Sequence, residues 1–387
     1  MKISKIETIP FKLPVRREFK WAGLQESVGG FVCVKITTDE GIVGYGEATP
    51  LPDWGGDYDR RGGETLNTVI DITQNVIAPV LIGTDPTNIT NAHLKVNRVL
   101  RGNSYAKCAI DIALHDITGK ALGVPIYKLL GGKVRENVPI GHMIGLMSNE
   151  EALIEAKGAY DDGIRAFQIK GGEDAKRDIE LVHTLRSSLG DEVFLRLDIN
   201  KGHRRPKHTL KVLEAMRLNG KDLLDMVEQP VEGFDHMAAV TARCSIPTIM
   251  DEGCWNCVDA IEAIRRRSTD AISIYLAKAG GLQPAGHIAV IAQKFNMQCD
   301  VNGSLESGIG TAANIHFAVA QPAVELPAVI SINAPAGQHA YKFGGHFYED
   351  DIIAEALPVK DGCLLPLENP GLGINVDLEK LEKYRVR

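Results

Sequence analysis

The chain has 387 residues, 44% of them hydrophobic and 24% charged, which is the balance of a globular protein with room for one large domain and a smaller one. A formal net charge of −7 argues against nonspecific nucleic-acid binding and gives no sign of an anionic membrane surface as partner. No apolar run approaches the ~18 residues of a membrane span. Met1-Lys2-Ile3-Ser4 passes straight into strand-like alternation without a signal-peptide core, so the expected compartment is the cytoplasm.

Residues 1–50 alternate apolar and polar positions with turn signals. Lys5 to Ile9 and Phe31 to Ile36 read as strands, and Asp39-Glu40-Gly41 as a turn, giving an antiparallel meander. Two irregular stretches carry aromatics: Glu18 to Gly30 holds Trp21, and Pro50 to Gly63 holds Trp54 and Tyr58. Long loops of that kind tend to be functional. From Glu64 to Leu122 the pattern is helical, with a small-residue run at Ala106 to Leu114 and an end at Gly123-Val124-Pro125. Strands first and helices after predict an α+β domain over 1–125.

From Val138 onward strands and helices alternate. Asn149, Asp174 and Ser307 stand where helix N-caps are expected. Strand ends fall at His142 or Gly145, Lys170, Asp198, Glu228, Asp251, Tyr275 and Asp300, with an eighth near Ser331. Several of these ends are spaced by roughly 23 to 30 residues, one βα unit each. Eight such units predict a (β/α)8 barrel over 126–335. The absence of a G-x-G-x-x-G turn excludes a dinucleotide-binding doubly wound sheet. Residues 336–387 are irregular again, and are expected to fold back on the first domain. The seven cysteines are scattered, so most read as buried free thiols, and Cys254-Trp255-Asn256-Cys257 lacks the second ligand pair of a zinc site.

Asp198, Glu228 and Asp251 leave three successive strands, which are neighbours around a barrel rim. Three converging carboxylates stay ionised only around a cation, and hard oxygen donors without Cys or His favour Mg²⁺ or Mn²⁺. Lys170 leaves the strand before them. Beside a divalent cation and partly buried, its pKa is expected to fall, making it a general base for a proton α to a carboxylate.

These residues resemble the enolase superfamily, on its muconate lactonizing enzyme/mandelate racemase branch. The likeness extends over nearly the whole chain: Gly44-Tyr45-Gly46-Glu47-Ala48, the run from Ala106 to Ala113, Leu129-Leu130-Gly131-Gly132, Gly280-Gly281, Leu305-Glu306-Ser307-Gly308 and Asn369-Pro370-Gly371-Leu372-Gly373. The resemblance implies a modified (β/α)8 TIM barrel with a capping domain, and a Mg²⁺-stabilised enediolate formed from a small-molecule carboxylate. Asp198, Glu228 and Asp251 would be the metal ligands. Asp251-Glu252 is closer to the muconate lactonizing subgroup. Trp21, Trp54 and Tyr58 fall in the capping loops that contact substrate, and Glu306 matches an acid at the barrel mouth. Gln168, Asn200 and Asp300 complete the expected substrate contacts. The fold often self-associates, so a homo-oligomer is compatible with it.

Two departures bear on the reaction. Where the subgroup has K-x-K on the second strand, this chain has Gln168-Ile169-Lys170, and where an opposing Lys is expected on the sixth strand it has Tyr275. Lys278 is three residues further on and is expected to turn away from the face of Tyr275. A phenol with an ordinary pKa near ~10 is a poor second base but a serviceable acid. The expected reaction is therefore a lyase-type β-elimination, such as dehydration, or a cycloisomerisation with Lys170 as the base and Tyr275 opposite. The alternatives are a two-base racemase or epimerase of a cyclic or N-modified amino acid, with Tyr275, Lys278 or Asp300 on the second face, and a non-catalytic metal- or ligand-binding member. Aromatic capping residues suit a compact ring or a cationic nitrogen.

Overall fold

Three antiparallel strands open the chain: β1 (Ile3–Lys12), β2 (Gly30–Thr38) and β3 (Val43–Ala48). In this computed structural model, which describes residues 1–24 and 28–386, the sheet packs on the helix Ser104–Leu122. Glycine sets how closely they approach. A Cβ on Gly46 would collide with the Ala109 carbonyl, and one on Gly44 with that of Ala113. The helix is buried on nearly every side, which accounts for its run of small residues. Glu64 receives the amides of Tyr105 and Ala106 at its first turn, at 3.0 and 3.3 Å, and Gly123 closes it in the left-handed region at φ 69°.

Seven parallel strands follow, at β4 (Gly141–Ile144), β5 (Ala166–Lys170), β6 (Phe194–Asp198), β7 (Met226–Glu228), β8 (Thr248–Met250), β9 (Ala271–Ile274) and β10 (Gln298–Val301). They pair in the order β10-β9-β8-β7-β6-β5-β4, each beside its neighbours in sequence. Near-continuous burial along them explains their apolar rather than alternating composition.

The eighth position differs from the expected strand ending near Ser331. Val324 to Val329 contributes isolated bridges only, from Val324 to Cys299 and Val329 to Asn302 on one side, and from Ala328 to Ile140 on the other. Pro322 and Pro327 flank or interrupt that segment and cannot donate ladder hydrogen bonds, so the ring is completed without a regular strand. The fold is a modified barrel under an α+β cap.

Helix starts follow local chemistry. Asp174 accepts from the amides of Lys176 and Arg177, and Ser307 caps Gly308–Ala320. The cap of Asn149–Asp161 is Ser148, not Asn149: its hydroxyl and Glu151 form a reciprocal capping box. The tail returns to the first strands, with the amide of Lys12 on Tyr384 O at 3.0 Å and that of Val386 on Pro10 O at 3.0 Å. All seven cysteines are free, and among the described residues no helix is long and apolar enough to cross a membrane.

Candidate active site

Strand register sets the site. Lys170 at the end of β5 pairs with Asp198 at the end of β6, and Asp198 with Glu228 at the end of β7, so the three stand in one row across the barrel mouth. Asp251 follows β8 directly. All four side chains are buried. The Lys170 ammonium lies 2.5 Å from Asp198 Oδ2. The Gln168 amide donates to Glu228 Oε2 at 2.7 Å, and Asn302 donates to Glu228 Oε1 at 3.2 Å. Asn200 donates to Glu252 Oε1 at 3.1 Å.

Below this row, Arg196 is buried between Glu228, 3.2 Å from its Nε, and Asp300, 2.5 Å from its Nη1. Asp300 is therefore a partner of Arg196 within β10, rather than a strand-end group facing substrate. Lys278 also departs from expectation. Tyr275 ends the strand and Leu276–Ala279 turns into a short helix, so side-chain alternation no longer applies. The Lys278 ammonium returns beneath the Tyr275 ring, 4.8 Å from its centroid, and donates to Asp251 O and Oδ1 at 2.7 Å each and to Ser273 O at 2.9 Å.

Charge in this core is unbalanced. Five buried carboxyls (Asp198, Glu228, Asp251, Glu252 and Asp300) face three buried cations, Lys170, Arg196 and Lys278. Burial, reinforced by Asp198, Asp251 and Asp300 despite Arg196, pushes Glu228 up to about 8. Burial raises Asp251 too, with Asp198 adding to it against the pull of Lys278, and Glu252 is driven well above the carboxylate range. Burial works against the charge of Lys170, but Asp198 and Glu228 outweigh it and hold the ammonium above its ordinary value.

Among the described residues no three acids or imidazoles are gathered around one centre, since Lys170 and Lys278 each engage a carboxylate. The donors nevertheless suit a hard divalent ion. Asp251 Oδ2 and Glu252 Oε2 are buried without a hydrogen-bond partner, and two added positive charges would offset the excess of carboxylates.

Over this row sits an aromatic roof. Trp21 and Trp54 from the capping loops form one buried cluster with Leu51, Trp255 and Tyr275. Trp54 stacks on Trp255 at 5.4 Å, and the Lys170 ammonium lies 5.6 Å from the Trp21 ring. Trp255, part of the C-W-N-C segment, is a member that sequence reasoning did not single out. Trp21, Trp54, Gln168, Lys170, Asn200 and Tyr275 all line one cavity of about 20 Å³, floored in part by Gly303 to Leu305. It has room for about one water, so a substrate enters only when the roof moves. Burial, with Asp251 and Glu228 adding, holds the Tyr275 phenol well above its ordinary pKa, hence protonated.

Two expected substrate contacts lie elsewhere. Tyr58 is 56% exposed, with its hydroxyl packed against Gly233 and its ring beside Arg60. It sits in a turn at which Tyr58 and Asp59 both take positive φ. Glu306 sits behind the Gly303–Leu305 floor, accepting from the Ser304 amide at 2.9 Å. Within the first capping loop, residues 25–27 lie outside the described residues.

Known proteins share this arrangement of chain. The mandelate racemase/muconate lactonizing enzyme N-terminal domain matches residues 6–131, and the enolase C-terminal domain-like family matches residues 151–381. N-succinyl-L-Arg/Lys racemase of Bacillus cereus is 30% identical, covering 100% of this chain and 98% of the relative. Muconate cycloisomerase 1 of Rhodococcus opacus is 28% identical, covering 99% and 98%. The crystal structure of muconate lactonizing enzyme from Pseudomonas fluorescens complexed with muconolactone superposes with a TM-score of 0.89 at 29% identity, covering 100% of this chain and 99% of that one. With both family domains matched in order along the chain, this protein belongs to the mandelate racemase/muconate lactonizing enzyme family of the enolase superfamily, and it is an enzyme of the isomerase or lyase type.

Proposed function

We propose that the protein removes the proton α to the carboxylate of a compact small molecule, with Lys170 as base and Tyr275 as acid, and completes a β-elimination or a cycloisomerisation. The observation that carries this reading is that Lys170 and Tyr275 line the same small cavity. Asp198, Glu228 and Asp251 would hold a divalent cation, Mg²⁺ by the hardness of its oxygen donors, with Mn²⁺ the nearest substitute. When bound, that ion would neutralise negative charge developing on the substrate carboxylate.

Each remaining step belongs to the chain. Gln168 and Asn302 hold Glu228 from two sides, and Lys278 fixes both the backbone and the carboxylate of Asp251. Trp21 and Trp54 exclude water above the reacting carbon. The Lys170 amine takes the α-proton, for which an ion holding Asp198 would free it from its present ion pair. The protonated Tyr275 hydroxyl delivers a proton to the departing group. Gln168, where a lysine would stand in relatives, spares the site another cation beside Lys170.

The test is incubation with Mg²⁺ and a panel of small hydroxy acids, acid sugars and cyclic or N-modified amino acids in D₂O, followed by proton NMR. The expected result is an unsaturated or cyclised product, with recovered substrate of one configuration only. A second reading, racemisation or epimerisation, is favoured by the 30% identical racemase. Of the three groups considered for the second face, only Tyr275 lines the cavity, so that reading rests on Tyr275 alone. Deuterium in both configurations of recovered substrate would establish it and overturn the elimination.

A further inference from the structure

The small cavity under Trp54 is not the roomiest space near the site. A cleft of about 750 Å³ lies at the seam of cap and barrel, a size that suits a metabolite. Its cap wall comes from the Arg60–Gly62 loop and from the first turn of the helix Ser104–Leu122, and its barrel wall from Trp255 and Lys278 to Gly280.

The chemistry of that wall is one-sided. Arg60 and Lys107 reach only main-chain acceptors: Arg60 Nε donates to Asp57 O at 3.2 Å, and Lys107 Nζ to Leu100 O at 3.1 Å. Neither makes an ion pair among the described residues. Lys107 is half-buried, and burial together with Arg101 disfavours its charge against a smaller pull from Glu64. Arg61 adds a third charge, although it is paired with Asp259. Glu64 is the one carboxylate on the described wall, and its two oxygens are occupied by the amides of Tyr105 and Ala106. The sequence run carrying Lys107 is otherwise committed to close packing, and nothing in the catalytic site uses that lysine.

We propose that this cleft binds a small oxyanion-bearing metabolite, a carboxylate or phosphate held by Arg60 and Lys107. Its inner wall consists of Trp255 and Lys278, the same side chains that stack on Trp54 and fix Asp251. A ligand there braces the roof and the acid row from behind. Binding itself does not depend on the reaction proposed above, and the two fail separately.

The experiment is calorimetric titration of the full chain with Mg²⁺, using inorganic phosphate and, separately, malonate as probes, at ionic strength held constant with sodium chloride. Saturable binding is expected, weakened about tenfold by Lys107→Gln and abolished in Arg60→Gln/Lys107→Gln. Lys107→Gln alone serves if the double variant fails to fold. An oxyanion held at the metal site would bind the double variant unchanged, and that result overturns the proposal. So does the absence of saturable heat, including the case in which sedimentation shows the cleft closed by a second copy of the chain.

Discussion

Trp54 of the capping loop stacks on Tyr275 at the end of β9, ring centroids 5.4 Å apart and planes at 27°. An aromatic pair of this kind contributes about 0.5–1.5 kcal/mol beyond its burial. The stack ties the capping loop to the Tyr275 ring. Trp54→Ala should lower kcat/KM by about tenfold, the upper end of that energy, and Trp54→Phe should recover most of it. Unchanged steady-state kinetics in Trp54→Ala would show that the stack does not hold Tyr275.

Lys170 and Tyr275 separate by isotope. Lys170→Met should remove both solvent exchange at the α-carbon and turnover, by at least the ~10²–10⁴-fold of a lost general base. Tyr275→Phe should keep α-exchange in D₂O while product formation falls by a similar factor. Loss of exchange in Tyr275→Phe would make Tyr275 part of proton abstraction instead.

The unpaired Asp251 Oδ2 and Glu252 Oε2, and the excess of carboxylates around them, predict that Mg²⁺ stabilises the fold. A ligand at a hundred times its Kd adds about 2.7 kcal/mol. The Tm should rise with Mg²⁺ and fall back with chelator, and Asp198→Asn or Asp251→Asn should abolish the dependence. A Mg²⁺ response preserved in both variants would place the ion elsewhere.

A second group of buried acids joins cap, barrel and tail. Burial pushes Glu47 up to about 8, and Glu306 and Asp351 each to about 7. Tyr105, Tyr348, Cys33 and Cys108 lie around them, and no Lys or Arg is paired with any of the three among the described residues. Because these folded pKa values lie above the unfolded ones, the folded state holds the extra protons. Their contribution is fully present below about pH 4 and is lost as pH rises towards 8. Glu306 Oε2 has no partner, so Glu306→Gln should melt close to the wild type near pH 4.5 and above it at pH 8.5. Parallel Tm-against-pH curves for the two proteins would contradict this.

Gly46 is predicted to be irreplaceable for packing rather than chemistry. An alanine there meets the Ala109 carbonyl of a helix with no room to shift, and overpacking costs about 1–3 kcal/mol or more. Denaturant melts of Gly46→Ala should show at least that loss, with the metal response retained in the folded fraction.

Much of this was legible in the residues themselves. Apolar runs that stop at Lys170, Asp198, Glu228 and Asp251 give parallel strands and a row of charges, because a buried strand admits a charge only where it leaves the sheet. The succession of strands, the small-residue helix and the irregular loops that carry Trp21 and Trp54 follow from local patterning, and the family resemblance implies that those loops cap the barrel. Direction was not local. Strand alternation turns Lys278 away from Tyr275, but the chain becomes helical immediately after Tyr275, and the ammonium comes back to Asp251. Asp300 and Glu306 are strand- or loop-borne acids whose partners, Arg196 and the Ser304 amide, are fixed by the barrel's interior. Tyr58 points outward from a turn in which it and Asp59 take positive φ, which no composition rule announces. The sequence by itself determined on which strands the charged groups stand, since backbone periodicity decides where an apolar run leaves the sheet. Only the tertiary structure decided which charges face each other, because buried ions take the partners that close packing brings within reach.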